Sequence, residues 1–202
     1  MPIYLYQLTP PRPGFPAGIS AAEGATTRIG RSLAAAASAH PGLTGISPLA
    51  DAREAFAARM LFVRGAGRTL DVQSYIWHKD ATGTLMLQAL HEAAERGVRV
   101  RLLLDDNGTA GLDDALAALD RHPNIEVRLF NPFSVRSPKA IGYLTHFDRA
   151  NRRRHNKAWL PDGRVAVTGP DGSTTTLAET KGAWIDSLAI SPGGAIRVRG
   201  GK

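Results

Sequence analysis

The sequence predicts an α/β fold: a mixed, largely parallel sheet flanked by helices. Two observations carry this. Helical and extended patterns alternate from residue 47 to residue 130, as expected when each helix returns the chain to start a parallel strand. Glycines and prolines also fall at the joints between these patterns rather than inside them, where they end one element and start the next.

The elements follow in order. Residues 1–24 hold five of the thirteen prolines and show neither period, so the first forty residues read as an irregular arm, with one short Ala-rich helix over 26–39. In "SPLADAREAFAARMLFVRGAG", Ser47 is placed to cap and Pro48 suits the first turn. Leu49, Ala52, Phe56, Met60 and Val63 recur at helical spacing, and Gly65 and Gly67 end the run. "TLDVQSYIW" alternates Leu70, Val72 and Ile76 with Asp71, Gln73 and Tyr75, the period of a strand. "TGTLMLQALHEAAERG" is a helix closed by Gly97, and "VRVRLLLDDNG" is a strand whose apolar end runs into carboxylates. A helix over Asp113 to Asp120 leads through Pro123 into the strand "IEVRLF". In such sheets ligands collect at the carboxyl ends of strands, where "DDNG" (105–108) and "NPFS" (131–134) fall. "HNKAWL" and "RVAVTG", joined by "PDG", read as a β-hairpin, with glycine where the turn needs positive φ.

After Gly169 the character changes. A polar, threonine-rich stretch leads to one expected strand, "AWIDSLAIS", and then to "PGGAIRVRGGK", read as a loose tail. The organisation expected is therefore an arm over 1–40, an α/β domain over 41–169, and an atypical segment over 170–202.

The formal net charge of +7 favours an anionic partner: nucleic acid, acidic lipid headgroups or a phosphorylated small molecule. Without cysteine, disulfides and thiolate metal sites are excluded. The apolar stretch at 32–40 is far shorter than the roughly 20 residues of a spanning helix and lacks the core of a signal peptide. A cytoplasmic location, or peripheral contact with a membrane, is the expectation.

Chemistry concentrates in "RRRHNKAWLPDGRVAVTG", residues 152–169. Along a strand, i and i+2 share a face, so His155 and Lys157 project together and Asp162 falls in the turn. An imidazole can attack phosphorus, an ammonium can neutralise a phosphoryl oxygen, and a carboxylate can orient donors. No cofactor or metal is called for, and the histidine is itself the nucleophile. A basic hairpin holding one histidine has innocent explanations too, and Arg152 to Arg154 read first as a solvated run. The contiguous His78, Lys79 and Asp80 are consecutive past a strand end and read as a solvated strand-to-helix turn.

Residues 155–162, with the spacing HxKxxxxD, resemble the signature of the phospholipase D superfamily. The stretches "LDVQSYIW", "GTLMLQALHEAAERGVRVRLLLDDNGTAGLD", "HPNIEVRLFNPFS" and "IGYLTHFDRANRRRHNKAWLPDGRVAVTG" are similar to its bacterial cardiolipin synthase branch. The resemblance implies a phospholipase D-like sandwich and metal-independent phosphatidyl transfer from an anionic phospholipid such as phosphatidylglycerol, through a phosphohistidine. In that scheme His155 is the nucleophile or general acid, Lys157 binds phosphoryl oxygens, and Asp162 supports the site by hydrogen bonding. Arg154, Gly169 and Ser173 are the candidate substrate-phosphate contacts: Gly169 matches the family pattern, whereas Pro170 and Gly172 replace its second glycine and its asparagine, leaving Ser173 as the substitute.

Family synthases pair two such motifs, and this sequence holds one. His40, His78, His91, His122 and His146 lack a lysine and acid at the required spacing. Two explanations stand: a symmetric homodimer that pairs two copies, or a truncated or reading-frame-altered remnant, a half that needs a second motif. A homodimeric phosphodiesterase acting on nucleic acid and a non-catalytic binder of anionic lipid or nucleic acid are the alternative functions.

Overall fold

A computed structural model describes residues 19–39, 51–133 and 157–163, the single positions Gly14 and Leu49, and the strands at 165–168, 174–177, 184–190 and 196–201. It is a mixed α/β structure. A six-stranded sheet has the order β3-β2-β1-β4-β5-β6, and a separate antiparallel pair is formed by β7 and β8.

The first helix, α1 (Ala21–Ala25), is set by a reciprocal cap: the Ser20 hydroxyl accepts the Glu23 N–H, and the Glu23 carboxylate accepts the Ser20 N–H at 2.8 Å. The Ala-rich helix follows as α2 (Arg28–Ala39). Helix α3 (Ala52–Gly65) starts later than expected. Its cap is Asp51, which accepts the Arg53 N–H at 2.8 Å and the Glu54 N–H at 3.2 Å. An ionised acceptor at the positive helix end sets the start here, so Leu49 precedes the helix, while Ser47 and Pro48 lie outside the described residues.

Strand β1 (Thr69–Ser74) buries Leu70 and Val72 completely, while Ile76 lies past its end and is 43% exposed. Helix α4 (Ala81–Glu95) follows, and Gly97, at φ +87°, takes the left-handed turn into β2 (Arg99–Asp105). A short 3-10 turn (Asp106–Gly108), α5 (Asp113–Asp120) and β3 (Ile125–Phe130) complete the alternation at the positions the sequence indicates. Strands β1, β2 and β3 run parallel.

Strand β4 (Ala158–Pro161) lies antiparallel to β1, and β5 (Val165–Thr168) completes the expected hairpin. Both Asp162 and Gly163 have positive φ, 52° and 73°, the requirement of a two-residue turn whose twist matches the strands. The sheet does not stop at Gly169: β6 (Thr174–Leu177) pairs with β5. Nor is the final segment a loose tail. Residues Ile196–Gly201 form β8, paired with β7 (Trp184–Ile190), an exchange of backbone hydrogen bonds between two segments that local pattern alone did not reveal.

The core lies between the sheet and α3, α4 and α5. Leu70, Val72, Val100, Leu102, Leu104 and Ile125 from the strands meet Val63, Leu90, Ala93, Leu116 and Leu119 from the helices. Each fully buried branched side chain contributes about 1.5–3 kcal/mol. The alternate strand positions face the other way, where Asp71 and Arg101, partners in the β1–β2 register, form a buried two-pronged ion pair at 2.6 and 2.5 Å.

Candidate functional site

The strand register decides where Lys157 stands. Gln73 pairs with Ala158, so Lys157 is carried one residue further, to the carboxyl end of β1. There it enters a cavity of about 230 Å³, walled by Arg59 of α3, by Ser74 at the end of β1 with Ile76, Trp77 and His78 after it, by Asp80, Thr82, Gly83 and Met86 at the start of α4, and by Trp159. A ligand site at the carboxyl ends of parallel strands is what such sheets favour.

The wall is built by short-range bonds. The Trp77 backbone N–H donates to the Gly108 carbonyl at 2.9 Å, and its indole Nε1 donates to the Gly83 carbonyl at 3.1 Å. The Trp77 and Trp159 rings stand 6.2 Å apart at 32°, fixing β4 against the β1–α4 turn. Gly83 cannot carry a side chain, because a Cβ there would strike the His78 carbonyl. Asp80 caps α4 by accepting the Gly83 N–H at 2.7 Å and the Thr82 hydroxyl at 2.8 Å. These bonds hold its carboxyl below the usual carboxylate range, the Gly83 N–H first and the Thr82 hydroxyl next.

Asp162 is placed differently. Its carboxylate accepts the backbone N–H groups of Gly67 at 3.0 Å, Arg68 at 2.8 Å and Thr69 at 3.1 Å, and its own N–H donates to the Thr69 carbonyl at 2.8 Å. It is 1% exposed. Five residues along the strand at about 3.4 Å each put it about 17 Å from Lys157, so one phosphate cannot touch both. Asp162 is therefore a positioning group that locks the hairpin to the start of β1, not a contact of the reacting centre. His155, Arg154, Gly169 and Ser173 lie outside the described residues.

Residues 78–80 form the solvated strand-to-helix turn that the sequence indicates. All three are exposed and Asp80 is a helix cap, but His78 and Asp80 also line the cavity beside Lys157. Arg59, also on the wall, was not singled out by sequence. Its signal was present: it stands four residues from Ala55 and four from Val63, both buried, on the inward stripe of α3. The carboxylates at the ends of β2 brace loops instead of lining the cavity. Asp106 accepts the Phe133 N–H at 2.7 Å and Asp105 the Asn107 N–H at 3.0 Å.

Among the described residues one other cluster has metal-ligand chemistry: His91, Glu95 and His122, with ligand atoms within 4.8 Å of one another. The Asn124 N–H donates to His122 Nδ1 at 3.1 Å, which leaves the ring proton of neutral His122 on Nε2, facing Glu95 Oε1 at 3.0 Å. This nitrogen donates to the carboxylate and has no lone pair for a metal. The cluster ties α4 to the turn before β3.

A mixed α/β sheet packed with helices, with Lys157 just ahead of β4 at the carboxyl end of β1, is the architecture of this chain. Residues 62–174 match the family described as "Cardiolipin synthase, PLD-like domain", and the chain belongs to this family, in its bacterial cardiolipin synthase branch. It is 54% identical over 142 residues to cardiolipin synthase C of Escherichia coli, an alignment covering 70% of this chain and 30% of that protein. It is 34% identical over 147 residues to an uncharacterized protein of Helicobacter pylori, covering 71% and 29%. The chain thus spans about 30% of the length of these curated relatives. Among solved structures it is similar to NucT from Helicobacter pylori, with TM-score 0.42 and 16% identity over 62% of this chain and 72% of that one. It is also similar to Nuc from Salmonella typhimurium, a phospholipase D family member, with TM-score 0.38 and 19% identity over 66% and 78%. Among the described residues no helix is long and apolar enough to cross a membrane.

Proposed function

We propose that this chain carries one histidine-lysine half of a phosphatidyltransferase site of the cardiolipin synthase kind. The observation that carries the reading is Lys157 in the cavity at the carboxyl end of β1, two residues after His155 in a chain 54% identical to cardiolipin synthase C over the matching region.

His155 attacks the phosphorus of an anionic phospholipid such as phosphatidylglycerol. A nitrogen–phosphorus bond forms, the bond to the glycerol oxygen breaks, and glycerol leaves with a proton from a general acid. The hydroxyl of the acceptor lipid then attacks the phosphohistidine, gives up its proton to the same group and regenerates the imidazole. Lys157 offsets the charge that builds on the non-bridging oxygens. The general acid is a second histidine, supplied by another copy of this chain or by a second motif half. The excess of basic residues draws the domain to the anionic surface of the membrane.

The test is transfer by the purified chain, with its mass measured in solution. Conversion of phosphatidylglycerol by a dimer, abolished in His155→Ala, supports the reading. If the chain is inert while a covalently linked pair of motif halves is active, it is a half without its partner. Metal-independent cleavage of DNA in preference to lipid assigns the site to nucleic acid. Salt-sensitive binding of either polymer or lipid that survives His155→Ala, with no turnover in any arrangement, leaves only a binding role.

A further inference from the structure

We propose that Arg59 is the phosphate anchor of this cavity, gripping the phosphodiester of a phospholipid headgroup from the α3 wall; the assignment rests on the phosphatidyltransfer reading and names a substrate contact outside the HxKxxxxD motif.

Two partly buried arginines make the case by contrast. Arg101 is met by both oxygens of Asp71; burial is the largest single influence and opposes its charge, and the carboxylates of Asp71 and Glu126 together raise its pKa. Arg59 stands on the inward stripe of α3, the helix that packs on β4. Burial alone acts on its guanidinium and pushes its pKa down, and among the described residues no carboxylate or carbonyl pairs with it. A guanidinium taken out of water without an anion is unfavourable. The fold therefore holds a desolvated charge at a wall of an open cavity whose other cation, among the described residues, is Lys157.

The third charge there is Asp80, and it is engaged: its carboxylate faces the Gly83 N–H and the Thr82 hydroxyl at the positive end of α4. Among the described residues, Arg59 and Lys157 against the single carboxylate of Asp80 leave the wall with an excess of positive charge that suits a singly charged phosphodiester. The planar fork of Arg59 can hold two non-bridging oxygens at once, and the compact ammonium of Lys157 can meet one of them from β4. Trp77, Trp159 and Met86 supply an apolar lining that a glyceryl ester can contact and a free ion cannot.

The experiment uses the whole 202-residue chain and measures binding without turnover, so a chain that transfers nothing still tests Arg59. Short-chain phosphatidylglycerol, inorganic phosphate and a dinucleotide are titrated calorimetrically below the micelle concentration of the lipid. Phosphatidylglycerol is expected to bind at least tenfold more tightly than inorganic phosphate. Arg59→Met, which keeps the apolar stem, is expected to weaken lipid binding at least tenfold, and Arg59→Lys to fall between. As a measurement independent of any variant, phosphatidylglycerol is expected to slow phenylglyoxal modification of Arg59 in the unaltered chain, read by peptide mass. Undiminished binding by Arg59→Met, absent protection of Arg59, or no lipid binding at all overturns the proposal. A dinucleotide that binds more tightly than the lipid overturns its lipid part.

Discussion

The Asp162 carboxylate accepts the backbone N–H of Arg68 at 2.8 Å, a bond between a hairpin turn and a loop 94 positions earlier. Together with the bonds from Gly67 and Thr69, it fixes β4 beside β1 in one register. Because side chains alternate along a strand, a one-residue slip would turn every β4 side chain to the opposite face. The place of Lys157 in the cavity thus depends on an anchor at the other end of its own strand.

Replacing that anchor should therefore unfold before it inactivates. Asp162→Ala leaves three backbone N–H groups without their acceptor and puts alanine at φ 52°; at about 1 kcal/mol or more for each lost bond, a loss of about 3 kcal/mol is expected. Asp162→Asn keeps one acceptor oxygen and tolerates the left-handed backbone, so it should cost less than half as much. Denaturant titration of the three proteins checks the order. Equal stability of all three would show that the carboxylate is not what holds the hairpin.

Asp71 and Arg101 give a second stability test on the sheet face away from the helices. Their side chains are 13% and 6% exposed, so removing one partner strands the other charge. Arg101→Leu alone is expected to cost about 3 kcal/mol. The double variant Asp71→Leu, Arg101→Leu should regain most of that, since no isolated charge is left. A double variant as unstable as the single one would indicate packing of the arginine stem, not charge, as the cause.

What the sequence showed and hid divides along the range of the interaction. Helices α4 and α5, strand β3 and the turn at 162–163 are written in local period, capping residues and glycines, and they stand where those signals put them. Asp51 displaced Ser47 as the cap of α3 because several residues in the window could cap and only three-dimensional packing chooses among them. Strand β8 escaped notice since its bonds go to β7 alone. At the site, Lys157 was legible in the motif spacing and the carboxyl ends of the parallel strands in the topology, whereas their meeting at the end of β1 was not. The destination of Asp162, 93 to 95 residues away in sequence, and the inward turn of Arg59 follow from tertiary contacts that no short window contains.

Asp80 supplies a pH signature. Its carboxyl titrates below the ordinary value of 3.8 in the folded chain, so the folded state binds its proton less readily than the unfolded one. Its stabilisation is complete above that ordinary value and is lost as pH falls through the lower, folded value. Asp80→Ala should melt below the parent at neutral pH, with the gap closing under acid. A gap that stays constant from pH 7 to pH 2 would mean that the cap acts without its charge.

Lys157 separates the chemical role from the structural ones. It stands at the head of β4, outside the buried core formed by Ala158, Trp159 and Leu160, so Lys157→Ala should leave the unfolding midpoint almost unchanged. If its ammonium neutralises the phosphoryl oxygens as charge builds there, the same change should lower kcat for phosphatidyl transfer about 10²- to 10³-fold, the usual effect of removing one preorganised donor. Lys157→Arg keeps the charge but misplaces it by the longer planar head, and should recover only part of the rate. The assay is run on the arrangement that shows transfer, whether the chain itself or the linked pair. A loss confined to KM would make Lys157 a ground-state contact, and an unaltered rate would remove it from the site altogether.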